Sequence, residues 1–182
     1  MPSFMLTIVM ILLVTSFTAA AEELLPAPEV GEDGLWTEDW IVHTSGDLRR
    51  DLEIASRQGK ILALFWEEKN CQYCTALHLG PLRRPDLRSF FDHSFYAVRF
   101  KVSGGIKLVG LDGNTYTERE LALHHNVLGT PTIEFRLSDG REVFRLPGSA
   151  GPEILLAAFE YVTLGGYLSM SFARWMEERG IL

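Results

Sequence analysis

The order of elements along this chain predicts an α/β protein, a central mixed β-sheet with helices on both faces. Three observations carry the prediction. Ile61-Leu62-Ala63-Leu64-Phe65-Trp66 is a continuous apolar run, the pattern of a strand buried on both faces. A helical segment and a second apolar strand follow it, so these two strands form a βαβ unit and pair in parallel. Further on, Ser138-Asp139-Gly140 is a turn between two more strands, which must pair antiparallel.

Each element has its own local signal. Residues 22–44 mix Pro26, Pro28, Gly31 and Gly34 with Trp36 and Trp40. They read as a linker or extension that becomes ordered near the tryptophans, which cover an apolar edge. Leu48, Leu52 and Ala55 recur at helical spacing in residues 47–55, and Gly59 ends that helix. After the strand 61–66, a short connection leads to Cys71, and residues 75–79 read as helix until Gly80-Pro81. Pro85 opens a further helical segment through Phe91, whose neighbours Arg83, Arg84 and Arg88 read as a solvated face. Residues 95–102 form the second strand. Residues 103–116, with four glycines, read as an irregular insert and a candidate specificity loop. Thr117-Glu118-Arg119-Glu120 fits a capping box and starts a helix over 118–125. Residues 132–137 and 141–146 are the strands of the hairpin. Pro152 opens a long helix to about Thr163, and Gly165-Gly166 breaks it. Ser171 caps a last helix over 172–179, with Met170, Phe172, Trp175 and Met176 as its packing face.

The chain has 182 residues, 47% of them hydrophobic, which suits one domain with a real core and a short extension. Its net charge of −7 argues against a nucleic-acid binder. The first 21 residues carry no charged side chain. Residues 5–14 have the length of a signal-peptide apolar core, and Ala19-Ala20-Ala21 supplies the small residues of a cleavage site. The expectation is a signal peptide over 1–21 cleaved after Ala21, an extension over 22–44 and a domain over 45–182. An uncleaved anchor is the alternative, because the leader lacks Lys and Arg.

Export changes what the two cysteines, Cys71 and Cys74, are for. Disulfides persist outside the cytosol. A bridge across so short a loop adds little stability, so the spacing suits chemistry better than stapling. The first N–H groups of a helix lack intrahelical partners and the dipole is positive there, which favours a thiolate at Cys71. Cys74 lies one turn on, within reach. The roles follow: Cys71 attacks a disulfide and Cys74 resolves the mixed disulfide. The rival is half a zinc site, with His78 four residues after Cys74. No second Cys-rich cluster exists and nothing in the spacing demands His124 or His125, so no metal is expected. His78 reads as a helix-face residue near the pair that modulates it, and His124 and His125 as surface and helix-end residues. Trp66 reads as core or as a wall of the site. Gly129-Thr130-Pro131-Thr132 precedes the third strand, where a proline is tolerated.

Together these pieces resemble thioredoxins: Phe65-Trp66, the Cys-X-X-Cys pair, Gly129-Thr130-Pro131-Thr132 entering a hairpin, and a closing helix. Residues 67–74, Leu77-His78, 117–122, 127–132, 145–148, Tyr161-Val162, Gly166-Tyr167 and 170–172 more specifically resemble the SoxW-like periplasmic thioredoxins, over about residues 45–175. The resemblance implies a thioredoxin fold with Pro131 cis and its loop beside the cysteines. It implies that the backbone of Thr130 pairs with a substrate's extended chain, with Pro131, Gln72 and Tyr73 also at the substrate. It implies a periplasmic thiol-disulfide oxidoreductase; the cysteine chemistry needs no bound cofactor, and with no dimerisation domain visible a monomer is expected. Its role would be to reduce disulfides in partner proteins, in sulfur oxidation or cytochrome maturation, with electrons from a membrane protein of DsbD or CcdA type. A thiol oxidant or isomerase is the alternative within the class, and a thioredoxin-fold binding or metal-carrier module the alternative outside it.

The chain departs from thioredoxin itself in two places that bear on chemistry. Gln72-Tyr73 stands where thioredoxin has Gly-Pro; Tyr73 and the later Thr130 resemble the disulfide-isomerase type. Leu64 stands two residues before Trp66, where thioredoxin carries a buried Asp. That leaves Glu67, Glu68 or water to accept the Cys74 proton. Trp66, Glu67, Glu68 and His78 are accordingly the candidate modulators.

Overall fold

The computed structural model of the chain describes residues 23–182, so the expected leader and its cleavage site lie outside the described residues. The strand predicted from the apolar run, β4 (Ile61–Glu67), is the centre of a five-stranded sheet. It pairs in parallel with β5 (Phe95–Lys101) and antiparallel with β8 (Thr132–Arg136). The hairpin partner of β8 is β9 (Glu142–Pro147), with a register shift at Phe135/Arg136. Both predicted pairing modes are present.

Side chains alternate across β4 and its neighbours, and the two faces are covered by different helices. On one face, Ala63, Phe65, Ala97, Ile133 and Phe135 pack against α2 (Gln72–Leu79), α3 (Pro85–Ser94) and α5 (Pro152–Thr163). On the other, Leu62, Leu64, Trp66, Val98 and Phe100 pack against α1 (Leu48–Arg57) and α4 (Glu118–His124). The capping box and the Ser171 cap stand as the sequence predicts, and the start of α1 has a cap of its own. Asp47 accepts from the Arg49 amide at the start of α1. Thr117 and Glu120 form both halves of the capping box. Ser171 caps α6 (Phe172–Glu177), whose Trp175 lies against Tyr161 with Met170, Phe172 and Met176 around it.

The structure adds five short strands that the sequence pattern does not announce. Residues 103–116, read as irregular, contain β6 (Lys107–Val109), whose antiparallel partner is β7 (Thr115–Thr117). The extension contains the small hairpin of β1 (Glu29–Val30) and β2 (Trp36–Thr37), then β3 (Ile41–Val42), an edge strand parallel to β5. Strands of two or three residues are too short to show an alternation.

The extension is tied firmly to the domain. Trp40 is buried, edge-on to Phe65 and Phe91 with ring centroids 5.6 and 4.6 Å away. Arg88, expected on a solvated face, is only 16% exposed. Its guanidinium lies 5.1 Å over the Trp40 ring and pairs with Asp39 at 2.7 Å. Leu25 and Arg83 exchange backbone and side-chain hydrogen bonds at 2.8 and 2.7 Å. Trp40→Ala should therefore behave as a core truncation and lower stability by about 3–5 kcal/mol, measured by urea denaturation. A loss below about 1 kcal/mol would mean that the extension only rests on the surface.

Candidate active site

The chain leaves β4 through Glu68, Lys69 and Asn70 and enters α2 at Cys71. Asn70 takes the left-handed conformation, φ 59°, which an Asn tolerates better than most residues and which turns strand into helix. Cys71 is the N-cap of α2, and its sulfur accepts from the Cys74 amide at 3.1 Å. Cys71 and Cys74 are joined as a disulfide with their Cα atoms 5.2 Å apart. Cys71 is partly exposed and Cys74 is buried. The helix start thus presents the first sulfur outward and holds the second inside.

The loop before β8 closes over Cys71. The Thr130–Pro131 peptide is cis. The Thr130 hydroxyl donates to the Cys71 sulfur at 3.3 Å, and the Thr130 carbonyl oxygen lies 3.5 Å from the same sulfur. Two sequence-distant residues, Cys71 and Thr130, are thus brought together as the resemblance implies. Gln72 and Tyr73 project from the first turn of α2, Tyr73 at 57% exposed. Leu128, two residues before Thr130, is 98% exposed.

Beneath this surface lies a charged cluster around His78. The residue, read as lying on a helix face near the cysteines, is fully buried. It follows Cys74 by four residues, so both project from one face of α2, toward the sheet. Glu67 has the same parity on β4 as Phe65 and Ala63, and so points to that same side. Its Oε1 lies 2.5 Å from His78 Nε2. On the ring's other side, Glu38 Oε1 lies 2.9 Å from Nδ1. Burial pulls the imidazolium down, but the bonds to Glu38 and Glu67 outweigh it and raise His78 to about 9. With both ring nitrogens engaged, His78 has none left for a zinc ion shared with the cysteines.

The three remaining modulators separate cleanly. The second Glu67 oxygen, Oε2, is buried and has no hydrogen-bond partner among the described residues. Glu68 instead ties the loop together, accepting from the Lys69 amide at 2.8 Å and the Ser103 amide at 2.9 Å. Burial pushes its carboxyl up, but those bonds outweigh it and leave it below its ordinary value. Trp66 points to the opposite face of the sheet and is core. Its indole N–H donates to Glu134 at 3.1 Å, and its ring packs on Phe100 and His125.

Glu134 and Glu38 are the residues that sequence reading missed. Glu134 is fully buried on β8, bonded to Trp66, to His125 at 3.1 Å and to Arg136, with Arg145 at 3.3 Å. This corrects His125, expected at the surface; His124 is about half exposed, as expected. The available signal for Glu134 was a lone carboxylate inside an apolar strand. For Glu38 there was none, since it sits in a segment that reads as linker.

Comparison with known proteins agrees with this architecture. A family described as thioredoxin-like domain matches residues 48–163. A thioredoxin-fold protein from Helicobacter pylori superposes with a TM-score of 0.57 at 22% identity, over 67% of this chain and 85% of that one. A thioredoxin from Thermus thermophilus gives 0.54 at 23% identity, over 70% of this chain and 90% of that one. These likenesses extend to the fold. None of the curated proteins matches the sequence.

The His78 cluster makes stability depend on pH. The folded imidazole binds its proton more tightly than the unfolded one, at about 9 against 6.5. Its contribution is therefore fully present below about pH 6.5 and is lost as pH rises through 9. At most it amounts to roughly 3 kcal/mol. Urea denaturation of the oxidised protein at pH 6 and 9.5 should show wild type losing more stability across that interval than His78→Gln. Equal losses in the two proteins would contradict the buried ion pair.

Proposed function

Because the chain belongs to the thioredoxin-like family, we propose that it is an exported thiol-disulfide oxidoreductase that reduces disulfides in partner proteins through Cys71 and Cys74. The observation that carries this reading is the division between the sulfurs: Cys71 partly exposed at the start of α2 beside the Thr130 hydroxyl, Cys74 buried behind it. An attacking thiol needs access and a favoured thiolate; a resolving thiol needs only to reach the first sulfur.

In the reduced protein, the Cys71 thiolate attacks one sulfur of a partner disulfide. The partner's S–S bond breaks, its other sulfur leaves as a thiolate and takes a proton, and a mixed disulfide forms at Cys71. Cys74 then loses its proton and attacks the Cys71 sulfur. The bond to the partner breaks, the second partner thiol is released, and the Cys71–Cys74 disulfide remains. Two electrons have passed to the partner. A donor must restore the dithiol, and a membrane protein of DsbD or CcdA type suits a protein outside the cytosol. The electrons themselves pass only through the two sulfurs.

Three features support the finer assignments. The Thr130 backbone, beside Cys71, would pair with an extended substrate chain, with Pro131, Gln72 and Tyr73 flanking it. Glu67 is the better candidate than Glu68 to accept the Cys74 proton. It is buried on the side of the sheet that α2 covers and keeps one oxygen unpaired, whereas Glu68 is spent on loop amides. The uncharged leader with its Ala19-Ala20-Ala21 end supports export, and the residues shared with SoxW-like thioredoxins support a periplasmic reductase of sulfur-oxidation or cytochrome-maturation partners.

Two measurements test the reading. Cys74→Ser should accumulate partners as mixed disulfides on non-reducing gels, and Cys71→Ser should trap few, because Cys74 is buried. Equal trapping by both, or trapping mainly through Cys74, would overturn the assignment of the nucleophile. Equilibration of the Cys71–Cys74 couple with glutathione should give a potential of about −200 to −270 mV, in the range of glutaredoxins and thioredoxin. A value near the roughly −120 mV of DsbA would instead identify an oxidant.

A further inference from the structure

The cluster under α2 does not end at His78. Glu38, which holds the ring's Nδ1, comes from the extension, not from the domain that carries the cysteines. Its side chain is 13% exposed, and it lines an open groove of about 530 Å³ between the extension and the start of α3, together with Leu25, Thr37 and Arg83. Trp36, also of the extension, stacks on the His78 ring at 6.1 Å with 24° between the planes. The stretch is anchored from β5. Arg99 donates to the Trp36 carbonyl and pairs with Asp33 at 2.9 Å, and Lys101 donates to the Asp33 carbonyl at 2.9 Å. The groups that face His78 are therefore Glu67 from β4, and Glu38 and Trp36 from the extension; on its own helix, Cys74 lies one turn earlier.

We propose that Glu38 is the outlet of a proton relay, Glu67–His78–Glu38, that couples the buried Cys74 thiol to the groove beneath the extension. The inference rests on Glu67 as the acceptor for Cys74. Three groups in a row at 2.5 and 2.9 Å run from an unpaired buried oxygen at one end to a carboxylate on an open groove at the other. An imidazole is the side chain suited to the middle, since it exchanges protons at two separate nitrogens.

The step balances. Cys74 gives its proton to Glu67 Oε2 as its sulfur attacks Cys71. The imidazolium gives its Nδ1 proton to Glu38, and Glu38 releases it to the groove. One proton enters the cluster and one leaves, so its net charge is unchanged while the thiolate forms in a site where an uncompensated charge is costly. When a donor dithiol reduces the Cys71–Cys74 disulfide, the steps reverse: Glu67 returns a proton to Cys74, and His78 takes one from the groove through Glu38. Glu38 acts through His78 and is a positioning and proton-carrying residue, not one that touches the sulfurs.

Ellman's reagent separates the two steps on the reduced full chain. Attack by Cys71 releases one thionitrobenzoate, and attack by Cys74 on the resulting mixed disulfide releases the second. In stopped-flow at pH 7, Glu38→Gln should lower the ratio of second to first release rate about ten-fold, within the range of a lost proton-transfer group. Formate or imidazole buffer should restore it in proportion to concentration, and the pH dependence of the second release should shift. Glu67→Gln should lower the same ratio without buffer rescue. If Glu67→Gln slows the second release but Glu38→Gln keeps the wild-type ratio and pH profile, the relay is refuted and Glu67 stands as acceptor. If Glu38→Gln is slow but no buffer rescues it, the extension acts only as structure and the relay is again refuted. If Glu67→Gln is as fast as wild type, the acceptor assignment fails first and the relay with it. Should Glu38→Gln not fold, Glu38→Ser opens the same position to buffer and is read by the same criteria.

Discussion

A carboxylate buried on the inner face of a sheet is unstable unless its charge is met, and the 2.5 Å contact between Glu67 and His78 meets it. Much of the site follows from that pair. Glu67 ends the central strand, and His78 lies in the helix that begins with the reactive cysteine. Their contact pins the rotation of α2 about its own axis, because His78 must face the sheet. Cys74, four residues earlier, then faces inward as well, and Cys71, at the N-cap, stays at the rim. Breaking such a pair from one side leaves an uncompensated buried charge, at a cost of about 3–5 kcal/mol. The division between an outer and an inner sulfur in this thiol-disulfide oxidoreductase is thus enforced electrostatically as well as by packing.

The same pair explains why a two-tryptophan extension belongs to the working protein. The imidazolium has two donors, and Glu67 takes only one. Glu38 takes the other, and it reaches His78 because Trp40 is sunk among Phe65 and Phe91 and because Trp36 lies on the ring. The hydrophobic anchor and the charged contact are only two residues apart. What the sequence shows as a linker with tryptophans is packed against the buried side of the catalytic helix.

The fold was largely legible because its signals are local. The apolar run 61–66, the capping box at Thr117 and the turn at Ser138-Asp139-Gly140 each depend on neighbouring residues, and each stands where the pattern puts it. The cysteines were legible for the same reason, since the spacing alone sets one turn of helix. The Cys71–Thr130 contact followed only from resemblance, as nothing local links residues so far apart. The buried charges were not legible. His78 carries no mark that distinguishes a histidine between two carboxylates from one on a solvated face; the difference lies in Glu67, eleven residues before it, and Glu38, forty before. The strands of two and three residues escaped because a period needs more length than they have.

The two buried carboxylates of the sheet show how parity along adjacent strands separates structure from chemistry. Glu67 projects toward α2, and Glu134, paired in the sheet with Leu64, projects toward α4. Glu134 has every oxygen engaged: Trp66, His125, Arg136 and Arg145 surround it. Burial pushes its carboxyl up, but His125 and the two guanidiniums outweigh burial and hold it below its ordinary value. A carboxylate so satisfied ties Trp66 and His125, at the end of α4, to the sheet. Among the described residues, Glu67 has a single hydrogen-bonded oxygen, one cationic partner and an orphan Oε2. The carboxylate left incomplete is the one on the side of the reactive helix. Leu64, where thioredoxin places its acid, faces the Glu134 side and packs in the core there. On the proposed reading the acid lies three residues further along the strand, on the other parity, where the histidine in α2 meets its charge.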